Sequence, residues 1–278
     1  MTCSPLRAVL AQDRTGQGPP VVLVHGVGIG PWSYAGLARR LAVDHEVVVV
    51  HRRGYGRSAG LALPASLGGQ VDDLADLGVG PAAFVGVSGG ATLVLALAMS
   101  HPELVTAAVV HEPVVGALAP ELHAQLSAAA ARLAASEGEA GVLEFVRALI
   151  GPSMWQQLHP SQVAAAASCP AVVRAEVPQF LRFEPDPVQL RALGGVALVS
   201  SVGEASPASR HAAAAAVAAH TGRAPSVLPG AGHLAQLECP SALAALLRHA
   251  ESLAFEGGAR SHQQVFPARR GDKLHPDW

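Results

Sequence analysis

The sequence predicts an α/β protein in which a mostly parallel, doubly wound sheet carries an inserted helical cap. Several apolar runs of strand length are rich in valine and nearly continuous, which is typical of strands buried on both faces of a parallel sheet. These runs alternate with segments whose apolar residues have helical spacing, and such alternation indicates βαβ units. The alternation stops after residue 113 and resumes near residue 192, which indicates an all-helical insertion.

The predicted elements follow one another in a regular order. The strand-like runs are Val21–His25, Val47–His51, Ala83–Val87, Ala107–His111, Val196–Val202 and Ser226–Leu228. The helical segments between and after them are Tyr34–Leu41, Leu67–Leu77, Gly90–Ser100, Ser206–Thr221 and Pro240–Phe255. The third of these helices is expected to end before Pro102, because the residue that precedes a proline disfavours helical geometry.

The insertion and the end of the chain set the predicted domain limits. Residues 114–191 contain no strand-like run, and they have helical spacing at Glu121–Ser136, Ala140–Ile150 and Ser161–Ala167. We therefore expect residues 1–113 and 192–255 to form the core and residues 114–191 to form a cap over it. The composition turns polar after Phe255, which predicts a mobile C-terminal tail over 256–278.

Composition and charge exclude several classes of protein. Half of the 278 residues are hydrophobic and only 14% are charged, which excludes a disordered chain. A formal net charge of −2 provides no basic excess for binding nucleic acid. Long apolar stretches such as Ala91–Met99 are much shorter than the roughly 18 to 20 residues that cross a bilayer. We expect neither nucleic acid nor a membrane as a partner.

The cysteines and the N-terminal residues bear on location and on metal binding. Cys3, Cys169 and Cys239 are widely spaced and form no C-x-x-C pair, which argues against a disulfide framework and against a zinc site. Arg7 and Asp13 interrupt the apolar stretch that a signal peptide would need. These features predict a cytoplasmic protein, and they give no indication of its oligomeric state.

A candidate nucleophile stands in the pentapeptide Gly86-Val87-Ser88-Gly89-Gly90. It follows a valine-rich strand and opens a helix, which is the context of a nucleophile elbow. The strained turn leaves little room beside the serine, so small neighbours are needed, and the following helix offers N–H groups to developing negative charge. The alternative is a glycine-rich turn that contains a serine by chance.

A serine needs a general base and an oxyanion hole to act as a nucleophile. His233 lies in a glycine-rich loop after the last predicted strand, so the chain order is serine, acid, histidine. The turn Val24–Gly28 ends the first strong strand and leaves the Val27 N–H free to join the Gly89 N–H in an oxyanion hole. The alternative for this segment is again a plain glycine-rich turn.

Together these motifs resemble the α/β-hydrolase superfamily, particularly its capped, cofactor-free serine hydrolases. The resemblance covers about residues 6–254 and depends on segments 23–32, 48–58, 84–93, 111–115 and 228–233. It implies that Ser88 attacks a carbonyl carbon, that His233 transfers the proton, and that neither a metal nor a cofactor is needed. Relatives that open epoxides or remove halide use aspartate at the position of Ser88, so those reactions are disfavoured.

The triad acid departs from the pattern of the superfamily. The superfamily usually carries aspartate in a G-x-x-D motif after the strand that corresponds to Val196–Val202, but Ser206 occupies that position here. Two carboxylates could replace it: Glu112, at the end of the strand that follows the nucleophile helix, and Glu204, in the usual loop. We favour Glu112, and the remaining alternative is that neither residue acts and the protein has only a Ser-His dyad or is no enzyme.

The cap is expected to shape the substrate pocket, because pockets in such sheets form at the carboxyl ends of the strands. Apolar candidates for its lining are Trp32, Phe145, Trp155, Phe180 and Phe183, although cap aromatics can also form the core of the insertion. We predict a serine hydrolase of a small, largely apolar ester, thioester or lactone. The alternatives are C–C hydrolysis, perhydrolysis or cyclisation of a biosynthetic intermediate, and a non-catalytic protein that binds a small molecule.

Overall fold

The computed structural model describes residues 9–193 and 196–262, with side chains up to residue 255. Its strands are β1 (Gln12–Thr15), β2 (Pro20–Val24), β3 (Glu46–Val50), β4 (Ala82–Val87), β5 (Val105–His111), β6 (Ala197–Gly203) and β7 (Ser226–Leu228). They form one seven-stranded sheet in the order β1-β3-β2-β4-β5-β6-β7. All neighbours are parallel except β1 and β3. The predicted α/β fold with a mostly parallel sheet is confirmed.

Helices flank the sheet and also fill the insertion between β5 and β6. The helices of the core are α1 (Ala35–Leu41), α2 (Leu67–Ala75), α3 (Gly89–Ser100), α9 (Ala208–Thr221), α10 (Ala235–Glu238) and α11 (Pro240–His262). Those between β5 and β6 are α4 (Pro120–Ala135), α5 (Gly138–Gln157), α6 (Pro160–Ala167), α7 (Pro170–Leu181) and α8 (Pro187–Ala192). No helix in the described part of the chain is long and apolar enough to cross a membrane.

The helix that follows β4 lies at the centre of the molecule. Residues 89–98 of α3 are all buried, as expected for a helix that is apolar all round. Helix α3 shares a core with the inserted helices on one face of the sheet, whereas α1 and α11 pack on the other face. The start of α3 is therefore held rigidly at the carboxyl edge of the sheet, beneath the inserted helices.

Several elements differ from those predicted. Strand β1 is missing from the prediction because its residues are polar and mostly exposed, and it is joined to the core through Asp13, which contacts His51 Nε2 at 2.8 Å. Helices α7 and α8 were also not predicted. Helix α5 continues past its predicted end, with a break at Gly151, where φ is 80°. Helix α11 runs to His262, beyond the predicted end at Phe255, and the rest of the predicted tail lies outside the described residues.

A buried polar network joins the inserted helices to the core. Glu176 of α7 is fully buried and accepts hydrogen bonds from the Arg52 guanidinium and from the Tyr55 hydroxyl. Arg52 also donates to Gln70 Oε1 at 2.9 Å, and Gln70 Nε2 donates to Gln179 Oε1 of α7 at 2.9 Å. Burial raises the pKa of the Glu176 carboxyl, and the Arg52 charge opposes this effect. Helix α7 is thus fixed to the core by a buried ion pair.

Replacing Glu176 by glutamine should destabilise the protein strongly. The substitution keeps the shape of the side chain but leaves the buried Arg52 guanidinium without a counter-charge, and breaking a buried pair in this way costs about 3 to 5 kcal/mol. Chemical denaturation would measure the loss in the free energy of unfolding. Glu144→Gln, at an exposed position of α5, is the matched control and should change it by no more than about 0.5 kcal/mol. Equal losses for the two variants would contradict this assignment.

Candidate active site

The sharpest backbone turn of the site lies between β4 and α3. Ser88 has φ 57° and ψ −126°, a strained conformation that non-glycine residues adopt only where the surroundings enforce it. A Cβ at Gly90 would lie 1.9 Å from the Val24 carbonyl oxygen, and one at Gly86 would lie 2.4 Å from the Gly90 oxygen. Only glycine fits at these two positions, which explains the pentapeptide as a turn that presents Ser88 above the sheet.

Two backbone donors stand beside Ser88. The Gly89 N–H is the first of α3, where a helix provides no carbonyl acceptor of its own. The Val27 N–H makes no hydrogen bond within the described residues, while the next amide, that of Gly28, donates to the Tyr55 hydroxyl at 2.9 Å. Val27, Ser88 and Gly89 line one chamber. This arrangement provides the two free donors that an oxyanion hole requires.

His233 lies in the loop after β7 and is buried. Its Nδ1 is 2.7 Å from Glu112 Oε2, so this nitrogen carries the proton and Nε2 keeps its lone pair. Burial lowers the pKa of His233 to about 4, assisted by the Arg210 charge and opposed by Glu112. Ser88 and His233 line a shared cavity of about 10 Å³. No hydrogen bond joins their side chains in the described structure, as is common before substrate binds.

Glu112 takes the position that orients the histidine. It follows β5 with φ 51°, and this left-handed backbone turns its side chain under the His233 loop. Its Oε1 accepts hydrogen bonds from the Gly203 N–H at 3.0 Å and from the Ser206 hydroxyl, and Oε2 lies 3.3 Å from Arg210 Nε. Burial alone would raise the pKa of Glu112, but the His233 hydrogen bond and nearby positive charge hold it well below its usual range.

Ser206 has a function that the sequence did not reveal. The superfamily resemblance expects the acid itself at this position, whereas here the serine hydroxyl donates a hydrogen bond to Glu112. The other candidate acid, Glu204, is exposed and accepts from the Gly230 N–H at 2.9 Å. Glu204 therefore contacts the backbone of the loop that carries His233, but it is not paired with the His233 side chain.

The aromatic candidates separate into two groups. Phe145 and Phe180 line the chamber of about 30 Å³ that contains Ser88. Trp32, Trp155 and Phe183 are half-buried and pack against the core, and none of them lines this chamber. The Trp32 indole folds back over Gly30, where an added Cβ would lie 3.0 Å from Trp32 Cδ1. Trp155 lies beyond the break in α5 at Gly151.

The low pKa of His233 determines the expected pH dependence of activity. A lowered pKa means that the imidazole stays neutral, and able to accept a proton, well below the ordinary value of 6.5. We expect kcat/KM for an ester to stay constant as the pH falls past 6.5, and to decrease only as the pH falls through about 4. Initial rates measured across this range, with circular dichroism at each pH to detect unfolding, would check it. A decrease in kcat/KM centred at pH 6.5, in protein that stays folded, would show that burial does not lower the pKa of His233.

Acidic, histidine and cysteine side chains are the groups that would form a metal site. Within the described residues, no group of three or more of them is arranged to hold a metal ion.

The structure brings together a strained serine at a helix start, a buried histidine paired with a carboxylate, and two backbone N–H groups without partners in the described part of the chain. Set at the carboxyl edge of a parallel sheet, they define a scaffold of the α/β-hydrolase type. Residues 21–246 match the sequence model of the alpha/beta hydrolase family. The chain belongs to this family.

Relatives and solved structures agree with the family. An uncharacterized hydrolase, YraK, of Bacillus subtilis is 35% identical over 36% of this chain and 39% of its own length. An (E)-2-((N-methylformamido)methylene)succinate hydrolase of Acinetobacter baylyi is 29% identical over 34% of this chain and 40% of its own. A thermophilic esterase from Thermogutta terrifontis has a similar fold, with a TM-score of 0.73, 23% identity, and coverage of 88% of this chain and 93% of that chain.

The curated relatives are matched only over part of their length. The matched regions span about two fifths of the two hydrolases, and they span 8% of the polyketide synthase ThaQ of Burkholderia thailandensis, which is 32% identical over 58% of this chain. The structural neighbour, at 23% identity, supports the fold.

Proposed function

We propose that this protein is a serine hydrolase that cleaves a small ester, thioester or lactone through a Ser88-His233-Glu112 triad. The observation that carries the proposal is the 2.7 Å contact between His233 Nδ1 and Glu112 Oε2, next to a serine held in a strained elbow. Its substrate is a small molecule, its partners include neither nucleic acid nor a membrane, and we place the protein in the cytoplasm. Two of the relatives are named as hydrolases and the structural neighbour is named as an esterase.

Acylation begins with attack of Ser88 Oγ on the substrate carbonyl carbon. The hydroxyl proton passes to His233 Nε2, and the imidazolium that forms is stabilised by the ionised Glu112 at Nδ1. The carbonyl oxygen becomes an oxyanion that accepts hydrogen bonds from the Val27 and Gly89 N–H groups. His233 then returns its proton to the leaving group as the carbon–oxygen or carbon–sulfur bond breaks, which leaves an acyl group on Ser88.

Deacylation repeats these steps with water as the nucleophile. The cavity shared by Ser88 and His233, about 10 Å³, is close to the smallest space that holds one water molecule. His233 Nε2 takes a proton from this water as it attacks the acyl carbon, and the tetrahedral intermediate collapses to release the acid and restore the Ser88 hydroxyl. The side chains that line the chamber are mostly apolar, so the local dielectric constant is low and the oxyanion contacts are stronger than in water.

A fluorophosphonate probe tests the proposal directly. Such a probe phosphonylates an activated serine, so wild-type protein should be labelled at Ser88 and Ser88→Ala should not be labelled. The labelled residue would be located by peptide mass spectrometry, and p-nitrophenyl esters of graded chain length would then be screened. Wild-type protein that is folded but unlabelled would contradict the proposal and support a non-catalytic protein that binds a small molecule.

The match to a polyketide synthase favours a second candidate within the same chemistry. Part of this chain is 32% identical to a segment of that enzyme, so an acyl thioester intermediate of a biosynthetic assembly is a reasonable substrate for the Ser88 site. Hydrolysis of an acyl thioester such as an N-acetylcysteamine derivative, compared with the oxygen ester of the same acyl group, would distinguish this candidate from a simple esterase.

A further inference from the structure

An arginine with unused hydrogen-bonding capacity lies next to the candidate triad. Arg210 of α9 is only 5% exposed, and its Nε is 3.3 Å from Glu112 Oε2. Its Nη1 is buried and has no hydrogen-bond partner within the described residues. Leaving a buried donor of a charged group unsatisfied is unfavourable. A ligand that pairs with this nitrogen would remove that penalty.

Arg210 lies between two cavities of the site. An open cavity of about 710 Å³ lies between the inserted helices and the loops near His233, and the chamber of about 30 Å³ around Ser88 adjoins it. Arg210, Leu126 and Leu149 line both spaces. These three side chains lie at the boundary between the two spaces, which we call the neck, and Arg210 is the charged residue among them.

Glu112 is well supplied with donors apart from Arg210. It accepts hydrogen bonds from His233 Nδ1 at 2.7 Å, from the Gly203 N–H at 3.0 Å and from the Ser206 hydroxyl. Arg210 Nε lies 3.3 Å from Glu112 Oε2, and Arg210 Nη1 has no hydrogen-bond partner within the described residues, so this nitrogen can serve another acceptor. A guanidinium presents its donors as a planar fork that matches a carboxylate.

The charged side chains around the open cavity are few. The cationic side chains that line it are those of Arg132 and Arg210, and its carboxylate is that of Glu238. Glu238 accepts a hydrogen bond from the Gly232 N–H at 2.8 Å, so part of its capacity is used within the protein. His233 is uncharged at neutral pH, since its pKa is about 4. Glu112, which is also ionised, lies 3.3 Å from Arg210 Nε, so the attraction for a ligand carboxylate comes from the unpaired Nη1 donor of Arg210 and not from an excess of positive charge.

We propose that Arg210 binds a carboxylate group of the substrate, so that the preferred substrates are half-esters, or half-thioesters, of dicarboxylic acids. This inference rests on the proposed hydrolase function and names its substrate class. The ester carbonyl would enter the apolar chamber at Ser88, and the second carboxylate would stay at the neck against the Arg210 guanidinium.

A matched pair of esters tests the proposal on the wild-type protein. Monoethyl succinate and ethyl pentanoate have the same acyl spacing, and the second replaces the free carboxylate by an ethyl group. Acid release would be followed by titration at about pH 8, where His233 is neutral. We expect kcat/KM to be about 10- to 100-fold higher for monoethyl succinate, as for one charge-assisted hydrogen-bonded contact. Equal values, or a preference for ethyl pentanoate, would overturn the proposal.

Variants of Arg210 distinguish two roles of this residue: binding the substrate carboxylate and holding the Glu112 carboxylate in place. Arg210→Gln should lower kcat/KM for monoethyl succinate about 10- to 100-fold more than for ethyl pentanoate, and Arg210→Lys should keep part of the preference. Arg147→Gln, which removes an exposed charge of α5 that does not line this cavity, is the control and should keep the preference. If Arg210 acts only by holding Glu112, both substrates lose the same factor, and the proposal fails.

A binding measurement keeps the test independent of turnover. Calorimetry of monoethyl succinate with Ser88→Ala, and with Ser88→Ala combined with Arg210→Gln, should show about 10- to 100-fold weaker binding without the arginine. Equal binding would overturn the carboxylate site even if Ser88 reacts with the fluorophosphonate. Loss of binding on substitution of Arg210, in a protein whose Ser88 does not react, would instead support the site and contradict the hydrolase function.

Discussion

Replacing Ser88 by alanine should lower kcat for a good ester by about 10⁵- to 10⁶-fold while the protein stays folded. The hydroxyl is the only nucleophile that the elbow presents, so its removal leaves water to attack the carbonyl without an acyl intermediate. The residual rate comes from the two backbone donors and from substrate binding. Alanine also fits the site, since a Cβ is already present there and the strained backbone is set by the neighbouring glycines.

The measurement is a comparison of steady-state rates, with thermal unfolding to check the fold. Ser252→Ala, at an exposed position of α11, is the matched control and should retain wild-type kcat. A folded Ser88→Ala protein with wild-type kcat would assign the reaction to a different group and remove Ser88 from the triad.

The parts of the site that depend on local sequence could be predicted. The glycines at 86 and 90 are required by backbone atoms within a few ångströms, so the elbow is encoded in one pentapeptide. The buried strands could be predicted because a strand that is covered on both faces of a parallel sheet has a nearly continuous run of apolar residues, here mostly valines. The same reasoning fails for β1, whose residues are polar and exposed at the sheet edge.

Features of the site that depend on contacts between residues distant in sequence could not be predicted uniquely. For the triad acid, the sequence left two candidates. The chain offered Glu112 and Glu204 as acids, and the choice depends on the positive φ of Glu112 and on the direction of the Ser206 hydroxyl. Neither feature can be inferred from residue type or spacing. Arg210 gave no local sign of a role, because it is one cation in an alanine-rich helix. Its position next to Glu112 arises from the packing of α9 on the sheet.

The sequence predicted that the insertion is helical, but it did not predict the roles of the individual side chains in these helices. Their aromatic residues could not be divided between lining and core, since both roles require the same apolar side chains. The structure brings Phe145 and Phe180 to Ser88, and it leaves Trp32 and Trp155 outside the chamber. Glu176 was also not singled out, because a buried ion pair between α7 and Arg52 depends on how the insertion docks.

Replacing Glu112 by glutamine should lower kcat by about 10⁴-fold, as expected for the loss of a triad acid. An amide cannot stabilise the imidazolium that forms during attack, and it can donate a hydrogen bond to Nδ1, which favours the tautomer with its proton on Nε2. In that tautomer His233 can no longer accept the Ser88 proton. The substitution also leaves the buried Arg210 without its counter-charge, which further disfavours protonation of His233.

Glu204→Gln is the matched control, because the same change is made in the other candidate acid. Its amide oxygen can still accept from the Gly230 N–H, and its side chain is exposed, so we expect a loss of kcat of less than about tenfold. The opposite ranking would assign the acid to the later loop. Two small effects would show that a Ser-His dyad is sufficient, and that the Glu112–His233 contact of 2.7 Å contributes to stability more than to catalysis.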